Sequence, residues 1–189
     1  VNVRDGEIMF GLNMVVHKGK TIFVGDTSVH EYPSSEQMAD IAISTARVVR
    51  LFGFDPKVAF VSHSTFGQPL TSRTKHIRKA VDILKEKKVD FEFDGDMQPD
   101  VALNSEYEEL YPFSNIVGKA NILIMPGQHS AAISYKMMKT LGDTKVIGPL
   151  LIGLGLPIEI APLRSSTSEI INLASIAAYS ADVIDYNNS

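Results

Sequence analysis

No cysteine occurs among the 189 residues. This absence excludes disulfide bonds, thiolate metal ligands and a cysteine nucleophile. It also fits a reducing compartment, and we expect a cytoplasmic protein.

The chain also lacks an excess of positive charge and a long uninterrupted apolar run. Eighteen basic residues face 22 acidic ones, for a net charge of −4. Phosphate neutralisation needs a basic surface, so a general nucleic-acid binder is disfavoured. The most apolar stretch, Ile147–Leu163, is broken by glycines and prolines. We therefore expect no membrane span.

A hydrophobic fraction of 44% with 21% charged residues predicts one domain with a real core.

Several strong ligand motifs are missing as well. Neither a Gly-x-Gly-x-x-Gly fingerprint nor a Gly-x-x-x-x-Gly-Lys phosphate loop is present. His30-Glu31 has no second histidine at the spacing of a zinc protease. Asp94–Asp100 looks like a calcium loop but has Pro99 where the turn glycine belongs. We expect no metal and no bound cofactor in this chain.

Short apolar strands alternate with helical patterns along most of the chain. This order predicts an α/β fold, with a mostly parallel sheet covered on both faces and one antiparallel hairpin. Ser34 and Gln37 have the spacing of a helix-starting capping box. The predicted strands are Leu12–Val16, Thr21–Val24, Val58–Val61, Phe91–Phe93, Asn121–Met125, Val146–Gly148 and Ile158–Ile160. The predicted helices run from Ser34 to Gly53, from Thr71 or Ser72 onward, and over Val101–Leu110, Ser130–Leu141 and Thr167–Asp185, with a loop over Asp94–Asp100.

Two histidines follow predicted strands and could lie at the same sheet edge. His63 lies in the polar loop Ser62–Pro69, and His129 follows the strand that ends at Pro126. They are either loop histidines at a solvated rim or candidate bases, and a base needs a nucleophile and an orienting partner nearby.

Two further segments could hold an anion. Arg73 and Lys75 belong to a basic cluster at the start of a helix, which either binds a phosphate or is a solvated face. Ser165–Glu169 precedes the last helix, with Arg164 beside it. Its simplest interpretation is an N-cap with a capping acid, although a hydroxyl-rich helix start can also hold phosphate.

The order of motifs resembles the phosphate acetyl/butyryltransferase family over nearly the whole chain. The motifs are Phe23–Pro33, Ser35–Ile43, Val58–Gly67, Asp94–Leu103, Gly118–Pro126, Ala131–Lys136, Ile147–Leu154 and Ile170–Asn172. The Ser-x-Ser-x-Phe-Gly loop is most similar to the C-terminal phosphotransacetylase-like domain of large bacterial malic enzymes. The resemblance implies an α/β/α sandwich of the isocitrate/isopropylmalate dehydrogenase type, a homo-oligomer of at least two copies, and acetyl-CoA as ligand. The residues we expect to contact acetyl-CoA or its phosphates are Ser62, Ser64, Gly67, Arg73, Lys75, Gly148, Pro149, Arg164, Ser165 and Ser166.

The chain departs from the family where catalysis is expected. Active phosphotransacetylases carry a Ser-Arg pair before the last helix and an acid at its start. Here ungapped alignment places Pro162 and Leu163 at the pair, and Glu169 at the acid. A one-residue gap would bring Arg164 to the arginine position, but no serine precedes it. We therefore expect no catalytic residues, only these degenerate positions.

The resemblance also implies that residues 1–189 are one lobe of a longer chain. We expect a non-catalytic, acetyl-CoA-responsive regulatory and oligomerisation domain of a malic enzyme. NAD(P) and a divalent metal would bind in a separate catalytic part of that parent. The alternatives are part of an active phosphate acyltransferase, making acyl phosphate from acyl-CoA and phosphate, and a scaffold without a ligand.

Overall fold

Seven strands and five α-helices alternate in the computed structural model, which describes the backbone of residues 2–187 and the side chains of residues 2–181. The strands are β1 (Phe10–His17), β2 (Lys20–Gly25), β3 (Lys57–Val61), β4 (Glu92–Met97), β5 (Ile122–Ile124), β6 (Thr144–Ile152) and β7 (Ile158–Glu159). The helices are α1 (Ser35–Leu51), α2 (Ser72–Lys87), α3 (Pro99–Leu103), α4 (Gln128–Leu141) and α5 (Thr167–Asn187).

All seven strands form one mixed sheet in the order β4-β3-β5-β2-β1-β6-β7. β4, β3, β5 and β2 pair in parallel, whereas β1 is antiparallel to both β2 and β6, and β7 is antiparallel to β6. Five strands thus share one direction and only β1 and β7 oppose it. The α/β prediction is confirmed, although the antiparallel part extends beyond the single predicted hairpin.

Helices cover both faces of the sheet, which gives three layers. On one face the α1, α2 and α5 side chains pack on a core that includes Phe10, Phe23 and Phe60. On the other face α3 and α4 cover a smaller apolar core. Because successive strand residues point to opposite faces, Val58 and Phe60 enter the first core and Ala59 enters the second.

Local sequence signals place several element boundaries as predicted. Ser34 caps α1 and forms the capping box with Gln37. Thr71 caps α2 in the same way, with Thr74 as its partner. The β1–β2 turn uses two residues with positive φ, Lys18 and Gly19, which suits a two-residue hairpin.

The predicted loop over Asp94–Asp100 is wrong, since β4 continues through Met97. Asp94 accepts hydrogen bonds from the backbone and side-chain nitrogens of Asn115, at 2.7 and 3.1 Å. Asp96 is fully buried and accepts from the Ser64 hydroxyl. These partners come from distant parts of the chain, so two acids are accommodated inside the sheet.

The predicted helix over Val101–Leu110 is also wrong. α3 ends at Leu103, and a single 3₁₀ turn follows over Ser105–Tyr107. The Asn104 side chain accepts a hydrogen bond from the backbone N–H of Glu106 at 3.1 Å. Such side-chain bonding competes with helix continuation. Within the described residues no helix is both long and apolar enough to cross a membrane.

Candidate functional site

The carboxyl ends of the parallel strands carry the polar loops, as expected for ligand sites in α/β sheets. Five of the residues predicted to contact ligand lie on the β3–α2 connection or in the first turn of α2. We call them the strand-end group: Ser62, Ser64, Gly67, Arg73 and Lys75. Ser62, Ser64 and Gly67 are buried, and both cations are exposed in the first turn of α2.

Ser64 belongs to a buried polar cluster at this edge. Its hydroxyl donates to one carboxylate oxygen of Asp96, and it lies 3.4 Å from the Ser62 hydroxyl oxygen. The other Asp96 oxygen has no hydrogen-bond partner among the described residues. Asp96 joins this candidate site through Ser64, and the sequence does not predict this because its motif resembles a loop rather than a strand.

Asp26 organises the adjoining loop after β2. Its nearly fully buried carboxylate accepts backbone N–H bonds from Gly11, Ser28, Val29 and His30 at 2.8–3.1 Å. The same carboxylate lies 2.7 Å from Nδ1 of His30. These contacts fix the backbone of the loop and orient His30, and no residue spacing along the chain predicts them.

A chain of contacts links the first turns of α2 and α4 across this edge. The guanidinium of Arg73 lies over the Tyr32 ring, with Cζ 5.9 Å from the ring centroid. The Tyr32 and His129 rings are 6.3 Å apart, and His129 Nε2 lies 2.9 Å from a Glu31 carboxylate oxygen. The strand-end group is therefore bordered by an aromatic residue and by charges of both signs.

His63 and His129 do lie at the same edge, as predicted. His63 is exposed, and its Nδ1 is 3.5 Å from the Ser62 hydroxyl, which is too long for an activating contact. His129 contacts an acid but no nucleophile in the described part of the chain. This geometry favours two rim histidines over a catalytic base.

Gly67 has a structural reason for being glycine. Its φ is +80°, and a Cβ there would lie 2.7 Å from Nη1 of Arg78. A side chain would displace this guanidinium from the loop. The backbone conformation and this close approach therefore explain the glycine without any contact to a ligand.

The remaining predicted contacts form a second group on β6 and before α5, which we call the β6 group: Gly148, Pro149, Arg164, Ser165 and Ser166. Gly148 and Pro149 form a bulge opposite Asn13 of β1. A Cβ on Gly148 would lie 2.8 Å from the Leu12 carbonyl oxygen. Three strands separate β6 from β3, which places the two groups about 19 Å apart across the sheet. The structure does not bring all ten residues together.

Ser166 and Glu169 form a capping box at the start of α5, which confirms the simpler interpretation of this segment. Ser166 N–H donates to Glu169 Oε2 at 2.8 Å, and Glu169 N–H donates to the Ser166 hydroxyl at 3.2 Å. Lys139 of α4 donates to the other carboxylate oxygen at 3.0 Å. The Ser166 backbone N–H, followed by Lys139, lowers the pKa of Glu169 to about 2.

The β6 group frames only a small cavity. Gly148, Pro162, Ser165 and Glu169 are among the residues that line a space of about 30 Å³, which is about the volume of one water molecule. Leu163 is fully exposed and points away from the core. Neither degenerate position supplies a hydroxyl or a cation here.

The fold and these two groups define a class, namely a three-layer α/β protein with polar loops at the carboxyl edge of its parallel strands. Among the described residues there is no cluster of three or more histidine and carboxylate side chains suited to hold a metal. The family profile described as phosphate acetyl/butaryl transferase matches residues 2–178. The chain belongs to this family.

Curated relatives of two kinds match the chain. An NADP-dependent malic enzyme of Rhizobium meliloti is 45% identical over 96% of this chain and 24% of its own length. A phosphate acetyltransferase of Clostridium acetobutylicum is 35% identical over 85% of this chain and 49% of its own length. The chain thus spans about a quarter of the malic enzyme and about half of the acetyltransferase.

A solved structure agrees closely with the fold. A phosphotransacetylase from Streptococcus pyogenes superimposes with a TM-score of 0.89 at 30% sequence identity. The match covers 96% of this chain and 56% of that one. The sandwich predicted from the sequence is the fold of phosphotransacetylases.

Proposed function

We propose that the chain is a non-catalytic, acetyl-CoA-responsive regulatory and oligomerisation domain of a malic enzyme. The parent would oxidatively decarboxylate malate to pyruvate with NAD(P) and a divalent metal, both bound in a separate part. The greater identity to a malic enzyme, 45% against 35% for an acetyltransferase, supports this assignment.

The main support for a non-catalytic role is that the residues at the degenerate catalytic positions lack the groups that the reaction needs. Transfer of an acyl group from CoA to phosphate needs cations that stabilise the negative charge that develops in the transition state. Pro162 and Leu163 offer none, and Leu163 points to solvent. Glu169 already holds Ser166 and Lys139, and its pKa of about 2 makes it a poor proton acceptor at neutral pH.

Acetyl-CoA fits the arrangement of the two groups better than free phosphate does. The groups lie about 19 Å apart, which calls for an extended ligand. Arg73 and Lys75 are exposed at the start of α2 and suit the nucleotide phosphates. The Tyr32 ring beneath Arg73 holds its guanidinium at the rim of the site.

An apolar stripe supports the oligomerisation part of the proposal. Ile133, Met137 and Leu141 lie on one side of α4 and are 58%, 54% and 80% exposed. Ile170 and Ile171 of neighbouring α5 are exposed as well. Exposed apolar residues in such numbers mark interaction surfaces, and a second copy is the partner we assign to them.

Calorimetric titration of the chain with acetyl-CoA tests the ligand assignment. We expect saturable binding that disappears when Arg73 and Lys75 are both replaced by alanine. For regulation, malate oxidation by the parent must change with acetyl-CoA, because coupling requires different affinities for two states. Absence of binding to the unmodified chain would refute the proposal and leave a scaffold role.

A further inference from the structure

A cavity of about 580 Å³ lies on the α1 face of the sheet, far from the strand-end group. It is bounded by the N-terminal segment, α1, the end of β6 together with β7, and α5. Most of its lining is apolar, including Phe52, Leu150, Ile152, Leu154 and Ile176. This size and lining are typical of small-molecule sites.

Glu159 lies in the wall of this apolar cavity. Its Oε2 is covered and has no hydrogen-bond partner among the described residues. An uncompensated carboxylate is costly in such surroundings, whereas the protonated acid is tolerated. Burial raises the pKa of Glu159 to about 7, against an opposing effect of the Leu151 backbone.

Among the described side chains, the charged groups that line the cavity together with Glu159 come from two elements. The N-terminal segment contributes Arg4 and Glu7, and α1 contributes Arg47. Arg47 pairs with Glu7, and Arg4 Nε donates to the Leu154 carbonyl at 2.9 Å. Tyr179 of α5 donates to the Leu51 carbonyl at 3.3 Å. With Glu159 protonated, the side chains of Arg4, Arg47 and Glu7 together carry one net positive charge.

We propose that this cavity binds an aliphatic carboxylic acid. The aliphatic chain lies against Leu150, Ile152 and Ile176, and the ligand carboxylate accepts a hydrogen bond from the O–H of protonated Glu159. Arg4 at the rim supplies the compensating charge. The cavity lining shares no residue with the proposed acetyl-CoA surface, so either proposal can fail without the other.

The charge balance favours an acid over an amine. An anionic ligand cancels the positive charge and provides the hydrogen-bond acceptor that protonated Glu159 needs. A cationic ligand would add to the charge of Arg4 and Arg47. As pH rises through 7, Glu159 ionises and repels a bound carboxylate, so acid binding should weaken.

Calorimetry with octanoate and octylamine at pH 6 and pH 8 tests the proposal on the full 189-residue chain. The protonated share of Glu159 falls from about nine-tenths to about one-tenth over this interval, given a pKa of about 7. We expect octanoate affinity to fall about tenfold and octylamine to bind more weakly at pH 6. Glu159→Gln should bind octanoate equally at both pH values, because its amide still donates.

Glu109→Gln, at an exposed position on another loop, is the matched control and should keep the tenfold pH effect. Ser180→Trp places an indole in the cavity and should abolish binding without removing Glu159. Three results would overturn the proposal: no octanoate binding at pH 6, tighter binding of octylamine, or an unchanged pH effect in Glu159→Gln.

Discussion

Glu169 closes the first turn of α5 by accepting the Ser166 backbone N–H at 2.8 Å. In the family resemblance, this is the one acid that remains at the expected catalytic positions. Its second oxygen is held by Lys139 at 3.0 Å. A residue that aligns with a catalytic acid thus acts as a helix cap and ties α5 to α4.

The stability of α5 should depend on pH through Glu169. Its folded pKa, about 2, lies below the ordinary value of 4.5, so it contributes stability above pH 4.5 that is lost as pH falls toward 2. Glu169→Gln should flatten this part of the stability–pH curve, measured by urea unfolding from pH 5 to pH 2. Added salt should reduce the effect, since the group is exposed. Equal acid sensitivity of both proteins would contradict the capping role.

Gly148→Ala should destabilise the fold by about 2 kcal/mol, because φ is +122° and the new Cβ meets the Leu12 carbonyl. Gly155→Ala is the control, since its Cβ would have ordinary contacts and φ is not in the left-handed region. It should change stability by less than about 0.5 kcal/mol. Equal effects in thermal unfolding would show that β1 does not constrain Gly148.

Ser64→Ala should cost about 2 kcal/mol, because it removes the side-chain donor from the buried Asp96 carboxylate. Ser62→Ala should cost less, since the Ser62 hydroxyl makes only long contacts, of 3.4 Å or more. Denaturant midpoints of the two variants measure the difference. The reverse order would mean that the Ser64–Asp96 bond contributes little.

Arg73→Ala should weaken acetyl-CoA binding about tenfold, the loss of one charge-assisted contact. Lys79→Ala removes the same charge from the same helix, where Lys79 pairs with Glu36 at 2.7 Å. This control should change affinity by less than about twofold. Similar losses in both variants would mean that only the overall charge of α2 matters.

Local signals made much of the fold predictable. The capping residues Ser34 and Thr71 set helix starts because their hydroxyls satisfy nearby N–H groups, whatever the tertiary context. Gly142, expected as the end of α4, does follow its last residue. The hairpin turn over Lys18 and Gly19 is equally local.

Features that depend on distant partners were not predictable in this way. Asp94 and Asp96 lie in a strand only because Asn115 and Ser64 reach them. β6 extends through Gly148 and Pro149 because β1 pairs beside it. The prediction that the polar loops share one edge of the sheet is correct, because it follows from the direction of the strands. The separation of the two ligand groups depends on the order of the strands in the sheet, which local signals do not contain.

We propose that this domain binds acetyl-CoA without turning it over. The most direct measurement follows both processes in one sample: heat on adding acetyl-CoA, and acetyl phosphate formed when inorganic phosphate is supplied. We expect saturable heat and no acetyl phosphate. Formation of acetyl phosphate at a rate that scales with protein concentration would contradict it.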